Sequence, residues 1–263
     1  RDSPRQWPSP LRLMMARRLP GLLRRPPARL VWLLAGAAAA AEAPPIPGWG
    51  GVHAFTVRVD MTDVSDAPEH PQWSFNYSYL ADPATNRTYS RYDMDEGQHD
   101  EVCKGILGSP GLGKPCTVQH AADGWLYVRY PAQDFCCRCS RHIGPVRYDW
   151  LRDGGASYVG RVTGDADGQP FGSGIATADG WLKLGASDNH YYCTADARQR
   201  PVRFMEHKNG RLKQWDFLLS SFEAQAGWGG PSGSVPALFL PPEGCSQQCR
   251  SLMCSFSREE LVV

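Results

Sequence analysis

From Ala54 to Met61 the chain reads AFTVRVDM, with Phe55, Val57, Val59 and Met61 alternating against Thr56, Arg58 and Asp60. A period of two is the signature of a strand with one buried face and one wet face. WSFNYSYL, Trp73 to Leu80, repeats the pattern with larger groups: Trp73, Phe75, Tyr77 and Tyr79 share one side, and Ser74, Asn76 and Ser78 the other. The loop ADPATN then leads to RTYSRYDM, which is predicted as the hairpin partner. Further strands are expected at Trp125–Tyr130, Tyr158–Thr163, Trp181–Leu184, Tyr191–Thr194, Val202–His207 and Leu212–Phe222, with almost no helical periodicity anywhere.

Turn chemistry separates these runs. Asp-Gly-Trp-Leu occurs at Asp123–Leu126 and again at Asp179–Leu182, and both copies are expected to supply tight hairpin turns rather than to mark a duplicated domain. Asn209-Gly210 is a third turn of this kind. Strands at this density imply an all-β fold, an antiparallel sandwich or open barrel, whose aromatic inner face either closes as core or leaves a pocket.

The N-terminal segment changes the picture of the compartment. From Met14 a basic stretch precedes the apolar run Leu30–Ala41 and small residues ending at Ala43, which reads as a cleaved signal peptide. Residues 1–13 read as upstream translated sequence or a fragment end. The apolar run is shorter than the ~20 residues of a membrane-spanning helix, so no stable membrane insertion is expected, although an uncleaved anchor or a chloroplast-type leader stays open. Residues 1–43 hold eight of the 28 Lys and Arg but two of the 27 Asp and Glu, so the remainder carries a net charge of −5. That balance offers no footprint for nucleic acid. The expected location is extracellular or the lumen of the secretory pathway.

All nine cysteines follow residue 100: Cys103, Cys116, Cys136, Cys137, Cys139, Cys193, Cys245, Cys249 and Cys254. In an exported chain they read as a disulfide framework with one thiol left over, and the connectivity is not deducible. Cys136 and Cys137 on a strand point to opposite faces, so they are expected to bond different partners and to tie one strand to separate neighbours. The sequons Asn76-Tyr77-Ser78 and Asn86-Arg87-Thr88 mark Asn76 and Asn86 as candidate glycosylation sites. The organisation read from composition is 1–43 as leader, 44–224 as a β domain, and 225–263 as a Gly/Pro-rich tail stapled by its cysteines.

Catalytic and metal readings find little support. Cys136, Cys139 and His142 supply three zinc ligands without a fourth, and the Cys-x-x-Cys of Cys136–Cys139 lacks a thioredoxin-like α/β context. No Gly-x-Ser-x-Gly and no His-Glu-x-x-His occurs, so no catalytic residues are named and a non-enzymatic protein is expected. Asp93, Asp95 and Glu96, in the acidic run 93–101, are calcium candidates without EF-hand order, and a solvated turn is the preferred reading. Calcium is the only cofactor under consideration.

The ordered set FCCRCSRHIGPVRYDWL, ASYVGRVTGDADGQPF, GWLKLGASDNHYYCTADARQRPVRF, WDFLLSSFEA and LFLPPEGC resembles the ependymin-related proteins. The matching positions are Cys136, Cys137, Cys139, Asp149, Trp150, Leu151, Tyr158, Gly160, Gly168, Trp181, Tyr191, Tyr192, Pro201, Val202, Arg203 and Phe204. The likeness covers roughly residues 52–245. Ala178 stands where the family often has a Cys before the Trp strand, and His142-Ile143-Gly144 where many relatives have another Cys. The resemblance implies a secreted glycoprotein with two stacked, curved antiparallel sheets, a half-open barrel with a hydrophobic pocket, a lipid or other apolar ligand, and a homodimer. The pocket candidates are Trp73, Phe75, Tyr77, Tyr79, Trp125, Tyr127, Trp181, Tyr191, Val202 and Phe204. The competing expectation is a structural or adhesive extracellular glycoprotein whose association calcium modulates. Trp150 is expected to be buried and His99 to be a solvated loop residue.

Overall fold

The structure, a computed structural model, describes residues 43–63, 72–106, 115–172, 174–208, 211–229, 234–251 and 254. The residues read as a leader up to Glu42 and the expected Asn209-Gly210 turn lie outside them. The described strands are β1 (Ala54–Asp63), β2 (Gln72–Asp82), β3 (Arg87–Met94), β4 (Cys116–His120), β5 (Leu126–Tyr130), β6 (Phe135–Arg138), β7 (Ser157–Val162), β8 (Ala178–Lys183), β9 (Asp188–Cys193), β10 (Pro201–Lys208), β11 (Arg211–Phe217) and the short β12 (Glu223–Ala224). One short helix, α1 (Glu101–Lys104), is capped by Asp100, whose carboxylate accepts from the amides of Val102 and Cys103.

All twelve strands form one antiparallel sheet in the order β6-β5-β4-β3-β2-β1-β11-β10-β9-β8-β7, with β12 added to β1. The chain meanders from the centre to one edge, crosses over through residues 139–156, and meanders back from the other edge. The expected layers are therefore the two halves of a single curled sheet rather than separate sheets. β4 and β9 are six pairings apart, roughly 29 Å in a flat sheet at ~4.8 Å per strand. His120 and Asn189 from these two strands nevertheless line the same cavity, so the sheet is a half-open barrel.

The alternation in β1 and β2 supplies the concave face. Their register pairs Phe55 with Tyr79, Val57 with Tyr77, Val59 with Phe75 and Met61 with Trp73, so each inward residue meets another across the ladder. Asn76 and Asn86 are both exposed, the first on the convex side of β2 and the second in the β2–β3 turn with φ 53°.

The convex face is covered on both halves. Over β8, β9 and β10 lies the segment after β7, which packs Phe171 on Tyr192 with Ala178, Val202 and Met205 beside them. There the buried Arg203 pairs with Asp165 and, at 2.6 Å, with Asp216. Over β1, β2 and β3 lies the C-terminal segment, which buries Phe239 against Tyr89, Ala54 and Leu80.

Three sequence expectations are corrected. Asp123-Gly124 makes a turn, with Gly124 at φ +84°, but Asp179-Gly180 lies inside β8. Asp179 there is buried and bonded by Tyr158 and Arg161, and a Cβ on Gly180 would sit 3.3 Å from the Tyr192 ring, so this glycine admits close packing instead of a bend. β4, with apolar groups on only alternate positions among Thr, Gln and His, was not anticipated. The cysteines in and just after β6 do not reach separate neighbours: Cys136 pairs with Cys245, Cys137 with Cys249 and Cys139 with Cys254.

Edge geometry explains that pairing. β6 ends the sheet, and its free side is taken by the C-terminal segment through Arg138 N–H to Gln247 O, Cys249 N–H to Arg138 O, and a parallel bridge from Arg138 to Gln248. Cys136 and Cys137 point to opposite faces and find different partners, as alternation requires. The pairing also removes the zinc and Cys-x-x-Cys readings. Cys103 pairs with Cys116, which leaves Cys193 free and buried.

Replacing Arg203 with Met should destabilise the fold by about 3–5 kcal/mol in urea titrations, because it strands the buried Asp165 carboxylate without its partner. Peptide mapping without reductant should recover the β6 peptide joined to the 245–254 segment, with Cys193 alkylated only after unfolding.

Candidate functional site

On the concave face, between the two halves of the sheet, is a cavity of about 590 Å³. Its apolar wall comes from many strands: Met61 (β1), Phe75 (β2), Tyr92 and Met94 (β3), Val118 (β4), Leu126 (β5), Phe204 (β10) and Trp215 (β11). The crossover loop contributes Ile143, Val146 and Trp150. Polar groups in the lining are Asp100, Glu101, His120, Ser187, Asn189, Glu206 and Lys213.

The crossover loop is held in place by specific bonds. Tyr79 Oη donates to Val146 O at 3.0 Å, and Lys183 Nζ donates to the carbonyls of Trp150 and Asp153 while lying 4.9 Å from the centre of the Trp150 ring. Trp150 is consequently half-buried and part of the cavity wall, rather than fully buried. Trp150 packs edge-to-face on Phe204 at 5.8 Å, Phe204 does the same on Trp215 at 5.9 Å, and Tyr92 meets Trp215 at 6.0 Å. Such aromatic edges make a rigid wall.

The polar lining is largely self-satisfied. Lys213 binds Glu101 at 2.9 Å, and that hydrogen bond holds the Glu101 carboxyl below its ordinary range. Ser187 donates to Glu206 at 3.1 Å. Asp100 is pushed up by burial. His120 differs: its Nδ1 lies 2.8 Å from Ser90 Oγ, its Nε2 is buried without a partner, and burial pushes its pKa down to about 4.

The ten pocket candidates separate into four groups. Phe75 and Phe204 line the cavity. Tyr77, Tyr79, Trp181 and Tyr191 belong to the same apolar cluster but pack behind the wall. Trp73 and Val202 border a second space of about 480 Å³, shared with Asp60, Arg203 and Asp216, while Trp125 and Tyr127 lie on the convex face against Cys245. Trp125 is flanked by Arg138 and Arg141 at 5.0 and 4.8 Å.

Two physical reasons account for the displaced residues. In β5 both faces are apolar because the C-terminal segment covers the outside, so alternation did not reveal that Leu126 and Val128 face inward. In β10 a bulge between Pro201 and Arg203 shifts the register, turning Val202 outward while Phe204 points in. Tyr92, Val118, His120, Leu126, Ile143, Val146, Trp150 and Trp215 were missed, although alternation within RTYSRYDM places Tyr92 beside Ser90 and Met94.

The calcium candidates do not converge. Asp93 accepts from Arg91 at 2.8 Å and from Thr117 at 2.7 Å, Asp95 and Glu96 are exposed, and no metal-holding cluster of three His, Cys, Asp or Glu occurs among the described residues. His99 is half-buried, with its ring 5.9 Å from that of Trp73. Burial pushes the Cys193 thiol up to about 12, which keeps it protonated and unreactive. The Ser90–His120 pair lacks the geometry of a hydrolase: Ser90 is fully buried and does not line the cavity, and no carboxylate bonds the imidazole.

No family model and no curated protein matches the sequence. Among solved structures, a LolA-superfamily protein of Nitrosomonas europaea is 11% identical, covering 70% of this chain and 88% of that one, with a TM-score of 0.31. LprF of Mycobacterium bovis is 11% identical over 71% of this chain and 90% of that one, with a TM-score of 0.33. A putative outer-membrane lipoprotein-sorting protein domain of Vibrio parahaemolyticus is 11% identical over 69% and 88%, with a TM-score of 0.32. At these scores the similarities are recorded without inference. Among the described residues no helix is long and apolar enough to cross a membrane.

Because His120 titrates near 4 in the fold and near 6.5 when unfolded, the unfolded chain binds the extra proton between those values. Stability contributed by neutral His120 should therefore be present above pH ~6.5 and decline as pH falls towards about 4, by roughly 3 kcal/mol in all. Chemical denaturation of wild type and His120→Gln across that window should show a slope that the variant lacks.

Proposed function

We propose that the chain is a secreted, disulfide-stabilised, non-catalytic binding protein that carries a lipid or another hydrophobic ligand in its half-open barrel. The observation that carries this reading is the concave cavity of about 590 Å³, walled by aromatic and aliphatic side chains with polar groups in its lining. Its size lies within the ~300–1,000 Å³ of small-molecule sites, and its lining is the mixture such sites use. The ligand lies against Phe75, Val118, Phe204 and Trp215, with the Glu101–Lys213 pair among the polar groups of the lining.

The assignment to the ependymin-related group rests on the motif order Cys136-Cys137-x-Cys139, Asp149-Trp150-Leu151, Tyr191-Tyr192 and Pro201–Phe204. In this reading residues 44–224 hold the binding domain, the described residues from 225 onward strap its outside, and Asn76 and Asn86 carry glycans on exposed positions. The functional unit is a homodimer in the extracellular space or the secretory lumen.

The test is protein expressed through a secretory pathway, followed by native mass spectrometry and lipid extraction. A bound apolar species is expected, and Ile143→Trp, which fills the cavity from the crossover loop, should lower its occupancy about tenfold with an unchanged far-ultraviolet spectrum, a displacement of ~1.4 kcal/mol. Protein that holds no lipid and takes up none when it is added would overturn the carrier reading.

A further inference from the structure

The concave face changes character along the β10–β11 hairpin. Register pairs Phe204 with Trp215, then Glu206 with Lys213, then Lys208 with Arg211, and positions two apart on a strand share a face. The first pair belongs to the apolar cavity wall. The other four residues, with Glu101 of α1, line a second space of about 450 Å³, and Glu101, Glu206 and Lys213 also line the cavity. The apolar cavity therefore opens into a space lined by charged side chains alone.

The charges there are layered. In the tier next to the wall, Lys213 is held by Glu101 at 2.9 Å, while Glu206 accepts from the neutral Ser187 hydroxyl and makes no ion pair among the described residues. That tier keeps one uncompensated carboxylate. Lys104 and Asp63 act on Glu101 with opposite sign, so they leave the balance as it is. In the outer tier Lys208 makes no ion pair among the described residues, and Arg211 reaches Glu101 only at 3.8 Å. Both cations are exposed, and they stand directly opposite each other, a like-charge pairing that costs stability until an anion lies between them. The two tiers are two strand residues apart, roughly 7 Å.

We propose that the ligand is a single-chain amphiphile whose head carries an amine next to the tail and an anionic group beyond it, the amine bonded by Glu206 and the anion by Lys208 and Arg211. This rests on the carrier reading above and names its ligand class. With the tail against Phe204 and Trp215, an ammonium group meets the uncompensated carboxylate, and a carboxylate, phosphate or sulfonate meets the two cations, each through charge-assisted hydrogen bonds. A head with the opposite order, anion inside and amine outside, meets like charge in both tiers and is rejected for that reason.

The probes share a dodecyl tail: N-dodecyl-β-alanine, with its amine inside and carboxylate outside, O-dodecylphosphoethanolamine, with the order reversed, and uncharged dodecanol. Each is titrated below its micelle concentration against the full chain by tryptophan fluorescence. Wild type should bind N-dodecyl-β-alanine roughly tenfold more tightly than either of the others, the scale of one charge-assisted hydrogen bond. Added salt should narrow that margin. Glu206→Gln should lower the ratio of N-dodecyl-β-alanine to dodecanol affinity several-fold, and the exchange Glu206→Lys with Lys208→Glu should invert the preference between the two zwitterions. Equal affinity of wild type for the two zwitterions, tighter binding of the reversed one or of dodecanol, or a preference that Glu206→Gln leaves unchanged overturns the head-group assignment while leaving the carrier reading standing. Binding of none of the three probes by wild type overturns both.

Discussion

A sheet that curls on itself must fill its concave side, and Trp49 is what fills it. The indole is 1% exposed and contacts the rings of Trp150, Tyr191, Phe204, Trp215 and Phe217 at 5.4–6.2 Å, which come from the crossover loop and from β9, β10 and β11. Its N–H reaches Tyr77 on β2, so a single side chain spans the central seam where the two meanders join. Gly50 follows at φ +74°, where a Cβ would lie 2.0 Å from the Phe55 ring. Only glycine lets the segment come this close to the sheet. Trp49 thereby backs three residues of the cavity wall, Trp150, Phe204 and Trp215.

The convex side presents the opposite problem, because a curved sheet with apolar groups on both faces needs an outer cover. The segment after β7 covers one half and the C-terminal segment the other. Three cystines join β6 to the latter, with sequence separations of 109, 112 and 115 residues. Once the first long loop is closed, the other two close only short additional loops, so together they constrain the unfolded chain little more than one crosslink of about 4–5 kcal/mol in the chain-entropy account. Their larger effect is structural: they hold a partner along the free edge of β6, which would otherwise offer unpaired backbone groups to other chains.

The cavity inherits its chemistry from both constraints. Its wall is apolar because it is the unfilled remainder of the core, and its charged lining groups have partners: Glu101 pairs with Lys213, Glu206 accepts from Ser187, and Asp100 accepts from the amides of Val102 and Cys103. His120 stands out because Ser90 Oγ meets one ring nitrogen while the other is buried without a partner. Residues that in isolation suggest catalysis or metal binding are consumed by structure: Cys136 and Cys139 by cystines, Asp93 by Arg91 and Thr117, and Ser90 by burial.

Alternation within AFTVRVDM, WSFNYSYL and RTYSRYDM was enough to determine the strands, their inward faces and the all-β class, because a period of two is a local property of the backbone. Adjacent Cys136 and Cys137 were likewise legible as bonding different partners. What lay beyond the sequence depends on which elements meet. Asp179-Gly180 looks like a turn until Tyr192 and Arg161 pack on it, Val202 looks inward until the bulge after Pro201 reverses it, and Trp125 and Tyr127 look like pocket until the C-terminal segment covers them. His120 carries no local mark at all. Its position against a cavity built from strands six pairings apart exists only once the sheet has curled, since long-range curvature is set by packing between segments distant in sequence.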